Sequence, residues 1–414
     1  MSFPAPLACL ITVCAGYRRI GIAVSGGGDS MAALVLAVDG LGATAVQAVT
    51  VDHGLRAEAA EEAAQVAALC NQFGVSHETL RWAGPCGGNL QQAARQARLD
   101  LISAWARGRV DAVILAHTQD DQAETFLMRL ARGSGVDGLS GMAPKRTAQG
   151  VTWLRPFLEI PRAALRDELR ARGIGWIEDP SNTDQRFQRV RARQALTQLA
   201  PLGIDAATLA DTAGRLRRAR MALDLQMQEA MARLVEDDAG TVLINKAVLE
   251  LPTETRDRLL AALLMALSGD TFRPRLDALH RLIAQGGVLR GCVLADEGSH
   301  LRLWREAHAV ATVETSVTTP WDRRWRAHPP SGAPNAAVIR ALGVDGLAQL
   351  SAQAKDGAHS HWRDTGLPQS VLASHPAIWC GSELIAAPLA LWPQKWRLSA
   401  RPVAALVNEL QQSH

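Results

Sequence analysis

The chain has 414 residues, of which 48% are hydrophobic and 21% charged, with a net charge of +3. That length exceeds what one core organises, so the composition implies a globular protein of roughly two or three domains. The mild net charge announces neither an acidic tail nor, by itself, a nucleic-acid binder, and no run reaches the roughly 18 apolar residues of a membrane span. The cysteines, Cys9, Cys14, Cys70, Cys86, Cys292 and Cys380, form no Cys-x-x-Cys pair and no Cys/His cluster at zinc spacing. Scattered thiols fit a reducing compartment. No basic residue precedes the apolar residues 7–16, so a signal peptide is not expected and the protein reads as cytoplasmic.

In chain order, residues 19–25 read as a short buried strand and 29–38 as a helix. Residues 44–51 form a second strand, and an alanine-rich helix follows over about 57–73. A third strand spans 75–82. A helix spans 89–106, with Asn89 as cap and Gln92 completing a capping box. Residues 111–116 form a fourth strand and 119–131 another helix. Strands alternating with helices of this length predict a parallel twisted sheet with helices on both faces. Ligands of such sheets bind beyond the carboxyl ends of the strands, an edge that here carries 25–30, 52–56, 83–89 and 117–121. A further helix covers 161–172, and 205–286 is rich in helical periodicity. VLRGCVL and HLRLWRE flank the turn ADEGS and predict a hairpin, and seven of the eleven tryptophans lie from Trp304 onward. The domains expected are therefore 1–202, an α/β catalytic domain, 203–286, a helical middle domain, and 287–414, a small mixed or β-rich domain.

Positive charge is almost all arginine, concentrated at Arg186, Arg189, Arg191 and Arg193 and at Arg215, Arg217, Arg218 and Arg220. Each cluster reads either as a solvated helix face or as a phosphate-contacting patch.

Between the first strand and its helix stands Ser25-Gly26-Gly27-Gly28-Asp29-Ser30. It is not Walker A, because no lysine follows the glycines, and it is not the Gly-x-Gly-x-x-Gly fingerprint, because Met31 stands where the third glycine belongs. The glycines let backbone close around oxyanions, Ser25 and Ser30 offer hydroxyls, and the helix N-terminus adds partial positive charge. An aspartate beside a phosphate calls for a bridging divalent ion.

A second constellation is LAHTQDDQAETFLMRLARGSG, beginning at Leu115. His117, Asp120, Asp121 and Glu124 stand at i, i+3, i+4 and i+7 and share one helix face. Three carboxylates there are electrostatically costly without a cation. A solvated acidic helix start, a magnesium site and a site for a cationic substrate such as an amino group compete, and the last is favoured.

The loop resembles the Ser-Gly-Gly-x-Asp-Ser signature of the PP-loop ATP pyrophosphatases. Together with VDHGLR (51–56), NLQQAARQAR (89–98) and EDPSNTDQRFQRVRAR (178–193), the acidic block resembles the tRNA(Ile)-lysidine synthetase family over about residues 20–200. The resemblance implies a ligase that modifies the wobble cytidine of an isoleucine tRNA with anticodon CAU. ATP adenylates the base at its C2 carbonyl oxygen, and the ε-amino group of free L-lysine then displaces AMP to give lysidine. It implies that Ser25, Gly26, Gly27, Gly28 and Ser30 cradle the phosphates, with Asp29 acting through Mg2+. Asp52 and His53, in the stretch ending at Arg56, would lie near adenosine. Asp121 and Glu124 would bind lysine, and Arg95 and His117 would hold the cytosine or stabilise charge. Ser181, Asn182, Arg186, Arg189 and Arg193 would order a flap and meet the anticodon loop, with Arg193 also among the catalytic group. Arg217 would contact the tRNA body, and the assembly would be a monomer or homodimer.

Two departures stand out. Val190 replaces an asparagine common between the two family arginines, and Thr118 replaces a second histidine. Related tRNA thiolases would need a cysteine pair, and amidating synthetases would need ammonia or glutamine machinery. Neither is seen. A tRNA binder without catalysis fits poorly with an intact Asp29 and acidic face.

Overall fold

The computed structural model describes residues 5–54, 59–82, 84, 90–178, 184–354 and 360–412. The expected cap Asn89, and Arg56, Ser181 and Asn182, lie outside the described residues. The chain divides into two compact units, the first running to Met221 and including Gln412, the second running Ala222–Gln411.

The first unit holds α1 (Pro6–Cys14), β1 (Ile20–Ala23), α2 (Gly28–Leu41), β2 (Val46–Asp52), α3 (Ala59–Gln72), β3 (Ser76–Arg81), α4 (Leu90–Ala106) and β4 (Ala112–Ile114). These are followed by α5 (Gln119–Leu130), α6 (Val136–Leu139), β5 (Lys145–Ala148), β6 (Val151–Leu154), α7 (Arg162–Ala171), α8 (Gln188–Leu199) and α9 (Ala206–Leu234), inside which the division falls. The sheet order is β3-β2-β1-β4-β6-β5, parallel except for the β5–β6 hairpin. Ile20 lies opposite Val46 on one side and Ala112 on the other. The central strands β1 and β4 are buried at every residue, as a parallel sheet covered on both faces requires. The edge strand β3 has no buried residue, with Ser76, Glu78, Thr79 and Arg81 exposed, and is accordingly polar. The core on one face gathers Ile22, Leu34, Ile114, Phe157, Ile160 and Leu165. Trp105 belongs to the core of the other face, and it packs so close to β1 that a Cβ on Gly21 would lie 2.9 Å from its ring.

The predicted parallel sheet is thus present. The β5–β6 hairpin that completes its edge was not foreseen, because KRTA alternates only weakly and Gln149-Gly150 forms a turn with φ of 55° and 74°.

The second unit begins with β7 (Val235–Asp238) and β8 (Thr241–Asn245), then α10 (Thr253–Ser268), α11 (Leu276–Gln285), β9 (Gly287–Leu289), β10 (Cys292–Asp296) and β11 (His300–Arg305). The predicted hairpin is β10–β11, with Cys292 opposite Arg305 and Asp296 opposite Leu301. It sits in an antiparallel sheet of order β7-β8-β11-β10-β9. Among the helices expected over 205–286, the β7–β8 hairpin is an addition, turned by Ala239-Gly240 at positive φ. β12 (Thr315–Ser316), β14 (Val338–Ala341), β15 (Pro376–Cys380) and β16 (Glu383–Ala386) form a second sheet, and β13 (Trp325–His328) pairs with β17 (Arg397–Ala400). The tryptophan-rich C-terminal stretch is explained by packing: Trp321, Trp325, Trp362, Trp379 and Trp396 are all buried in the cores there.

Leu34 is fully buried between α2 and the sheet. Leu34→Ala is expected to lower stability by about 2–5 kcal/mol, through lost transfer energy plus a residual cavity. A urea denaturation midpoint unchanged from wild type would contradict this.

Candidate active site

β1 lies between β2 and β4, so the sheet changes direction of winding at the β1/β4 crevice. Such switch points open a cleft at the carboxyl edge. The glycine-rich loop leaves β1 into that cleft. Gly26 has φ +82°, and a Cβ there would lie 2.5 Å from Ile177 Cδ1. The Ile177 N–H donates to Gly26 O at 3.0 Å, and Trp176 packs so that a Cβ on Gly28 would meet its ring at 3.3 Å. The Ser30 hydroxyl donates to Gly27 O at 2.9 Å and accepts from Ser25 N at 3.1 Å, with Ser25 Oγ 3.2 Å away. The loop is therefore fixed from inside by its serines and from outside by 176–177. Gly27 caps α2 with no side chain, which leaves the first-turn N–H groups of α2 for an anion.

The acidic block leaves β4 on the other side of the crevice. Thr118 caps α5: its hydroxyl oxygen accepts from the Asp121 N–H at 3.4 Å and its own N–H donates to Asp121 Oδ2 at 2.8 Å, the two halves of a capping box, and the hydroxyl also donates to Asp121 Oδ2 at 2.9 Å. A threonine here, where the family often has histidine, thus has a structural task of its own. The cation demanded by the acidic face comes from within the chain. Arg162 Nε donates to Asp29 Oδ2 at 3.0 Å, its Nη2 to Asp121 Oδ1 at 3.1 Å, and its Nη1 lies 3.5 Å from Glu124 Oε1. The Arg162 backbone N–H also donates to Asp120 Oδ2 at 2.8 Å. Arg193 grips Glu124 Oε1 through Nε and Nη2 at 2.9 and 2.8 Å. Burial works to raise Asp121, but Arg162 and the Thr118 N–H outweigh it and hold the carboxyl below its usual range. Asp29 differs: burial outweighs Arg162 and pushes its carboxyl up. Asp29 Oδ1 and Glu124 Oε2 are both buried without a hydrogen-bond partner.

His117 stands beside this acidic group. Arg155 Nε donates to its Nδ1 at 3.3 Å, which leaves the ring proton on Nε2. Burial drives the imidazole pKa down to about 3, and Arg155, Arg189 and Arg95 add to that against the opposing pull of Asp121. His117 is accordingly a neutral hydrogen-bond donor. Desolvation, together with Arg146 and Arg95, pushes Arg155 down to about 10. Desolvation and the charges of Arg189 and Arg146 likewise lower Arg95. The cleft therefore has an acidic half, made by Asp29, Asp121 and Glu124, and a cationic half around His117.

The remaining expected residues are spread more widely. Asp52 Oδ1 accepts from Gly54 N at 2.8 Å, and His53 meets the Trp82 ring edge-on at 6.0 Å. Arg186 is exposed and paired with Asp184. Arg217 donates to the carbonyls of Ser140 and Met142 at 3.4 and 3.0 Å. Val190 is buried in the helix that carries Arg189 and Arg193. Arg155 and Arg162 escaped the sequence reading. The available signal was positional: each follows directly on a sheet or loop end, in LRP after β6 and in IPR at the start of α7.

A phosphate-cradling loop after β1 at the switch point of a β3-β2-β1-β4-β6 sheet defines a PP-loop ATP pyrophosphatase domain, and residues 7–200 match the PP-loop domain family. The tRNA(Ile)-lysidine synthase of Ruegeria pomeroyi is 44% identical over 389 residues, 92% of this chain and 90% of that protein. The enzyme of the same description from Methylobacterium nodulans is 42% identical over 294 residues, covering 68% and 86%. The chain belongs to the tRNA(Ile)-lysidine synthase family.

Two outcomes follow from the geometry. A histidine with a depressed folded pKa stabilises fully above its unfolded value near 6.5, and that contribution is lost as pH falls toward about 3. In His117→Asn, which keeps an acceptor for Arg155, the acid-side fall in stability is expected to be shallower by up to about 1.4 kcal/mol per pH unit. Identical urea stabilities from pH 4 to 6.5 in both proteins would refute the neutral-imidazole assignment. Gly26→Ala meets both a positive φ and Ile177, and is expected to cost about 1–2 kcal/mol and to weaken ATP binding. Calorimetric titration with ATP checks the second effect.

Proposed function

We infer that this chain ligates L-lysine to C2 of the wobble cytidine of a tRNA(Ile) with anticodon CAU, consuming ATP. The observation that carries the reading is the pairing, in one cleft, of a phosphate loop with a buried acidic group that still has an unpartnered oxygen at Glu124. In the first step the C2 carbonyl oxygen of the base attacks the α-phosphorus and pyrophosphate leaves. In the second, the ε-amine attacks C2 and AMP leaves with that oxygen.

The two halves of the cleft divide this work. Ser25, Gly26, Gly27, Gly28 and Ser30 surround the phosphates with the N-terminal donors of α2. Asp29 fits a magnesium ion, because its Oδ1 is buried without a partner and Mg2+ is held by one or two carboxylates plus phosphate oxygens. Among the described residues no group of three or more His, Cys, Asp or Glu side chains could hold a metal alone, so Asp29 would share the ion with the nucleotide. Bound there, Mg2+ neutralises charge on the departing pyrophosphate.

Asp121 and Glu124 bind the amino groups of lysine. Glu124 is 1% exposed, and its free oxygen is an acceptor for the proton that the ammonium must shed before it attacks. His117 donates from Nε2 to the cytosine, while Arg95 and Arg189 offset charge that develops on base and phosphate. Arg193 orients Glu124. Asp52 and His53 lie at the end of β2 on the adenosine side. Arg186, exposed, and Arg217 face the tRNA backbone in this reading. Among the described residues no helix is long and apolar enough to cross a membrane. A reaction on tRNA and ATP belongs in the cytoplasm, with the protein acting as a monomer or homodimer.

The test is incorporation of radiolabelled lysine into two transcripts, an isoleucine tRNA with anticodon CAU and a methionine tRNA with the same anticodon. Label only in the first is the expected result. Asp29→Asn is expected to lose more than about 100-fold in rate, and Glu124→Gln to raise the KM for lysine by about tenfold or more. No label in either transcript, from wild-type protein that melts cooperatively, sinks the reading.

A further inference from the structure

Arg162 joins the phosphate loop to the acidic half of the cleft. One guanidinium reaches Asp29 at 3.0 Å, Asp121 at 3.1 Å and Glu124 at 3.5 Å, with only 16% of the side chain exposed. Its main chain is anchored separately, at the first residue of α7 and by the Asp120 contact. The side chain can therefore turn while the backbone stays. Two of the carboxylates it touches keep a buried, unpartnered oxygen, Asp29 Oδ1 and Glu124 Oε2. The guanidinium thus stands where a substrate cation would be neutralised, and an incoming ammonium must compete with it. A triphosphate arriving at the loop offers Arg162 a stronger partner than Asp29 does. It carries several negative charges, and its oxygens match the planar fork two at a time.

We propose that Arg162 is a positioning residue that makes amino-acid binding conditional on nucleotide. Without a triphosphate it fills the acidic group. With one bound it turns to the phosphates and yields Asp121 and Glu124 to the primary ammonium of the incoming amino acid. This rests on the lysine-ligation reading. The coupling is reciprocal, so lysine tightens nucleotide binding by the same factor.

Equilibrium dialysis of labelled lysine against the full chain, with and without magnesium and the non-cleavable α,β-methylene analogue of ATP, measures the coupling directly. Wild type is expected to bind lysine about tenfold tighter or more with the analogue. Arg162→Gln is expected to bind lysine equally well in both conditions, and more tightly than wild type when the analogue is absent. If Arg162→Gln does not melt cooperatively, Arg162→Lys is measured instead. That change keeps the charge, loses the fork, and is expected to reduce the coupling to less than about threefold. Equal lysine affinities in wild type with and without analogue would overturn the proposal, as would wild-type coupling in the variant. A wild type that transfers lysine to tRNA without coupling sinks only the role of Arg162. A wild type that neither binds nor transfers lysine sinks the ligation reading too.

Discussion

The active cleft depends on a single guanidinium. Asp29 comes from the loop after β1, and Asp121 and Glu124 come from the helix after β4, so three carboxylates converge across the switch point of the sheet. Burying them without a counter-charge would drive protons onto them or open the cleft. Arg162 makes the convergence tolerable: it touches all three, and Arg193 shares Glu124 Oε1 with it. The compensation is incomplete at Asp29, whose carboxyl stays above its usual range. A buried pair of this kind adds little net stability against a hydrophobic replacement. Its retention makes sense as poise, since an aspartate that is hard to ionise gains most from an arriving cation.

The sheet supplies the rest of the geometry. β1 and β4 are neighbours, and their following loops emerge side by side at the carboxyl edge. Short, wholly buried strands leave no freedom in register, because a slip of one residue would exchange the two covered faces. The loop after β1 is pinned in turn by Ile177 and Trp176, so the start of α2 presents fixed donors. The glycine-rich loop is therefore pinned, while the cations facing the cleft are long arginine side chains.

What the sequence made legible follows from how local each signal is. The 25–30 loop is readable because glycine at positive φ and a serine pair are demands of a few contiguous residues. The acidic face is readable because helical spacing brings 121 and 124 together, whereas His117, expected on the same helix face, precedes the Thr118 cap and reaches the site from the loop after β4. Asp120, equally spaced, instead accepts from the Arg162 backbone, a choice that only the docking of α7 reveals. Arg162 pairs with residues 133 and 41 positions away, and Arg155 with His117 38 positions away. No periodicity encodes such partners, so the acidic face looked as though it needed an external cation. The β5–β6 and β7–β8 hairpins were missed for a different reason: their strands are short and half polar, and tertiary pairing decides them.

The two halves of the cleft also explain why His117 is neutral. Burial is the largest influence on it, with the opposing charges of Asp121 and of Arg155, Arg189 and Arg95 behind it. A protonated imidazole there would add to a cationic half in which desolvation, Arg146 and Arg95 lower Arg155, and desolvation, Arg189 and Arg146 lower Arg95. Kept neutral by burial, with Nδ1 occupied by Arg155, the ring offers one N–H of fixed direction. The cationic half is then free to answer anionic groups, and the acidic half a cationic one. In the proposed lysine ligation, carboxylates and arginines of one cleft answer reactants of opposite charge, and the uncharged His117 donor answers the uncharged base. Such a division suits a reaction that joins an amine to a nucleotide with a phosphate leaving group, and its side chains come from α2, α4, α5, α7 and α8 and from the loops after β4 and β6.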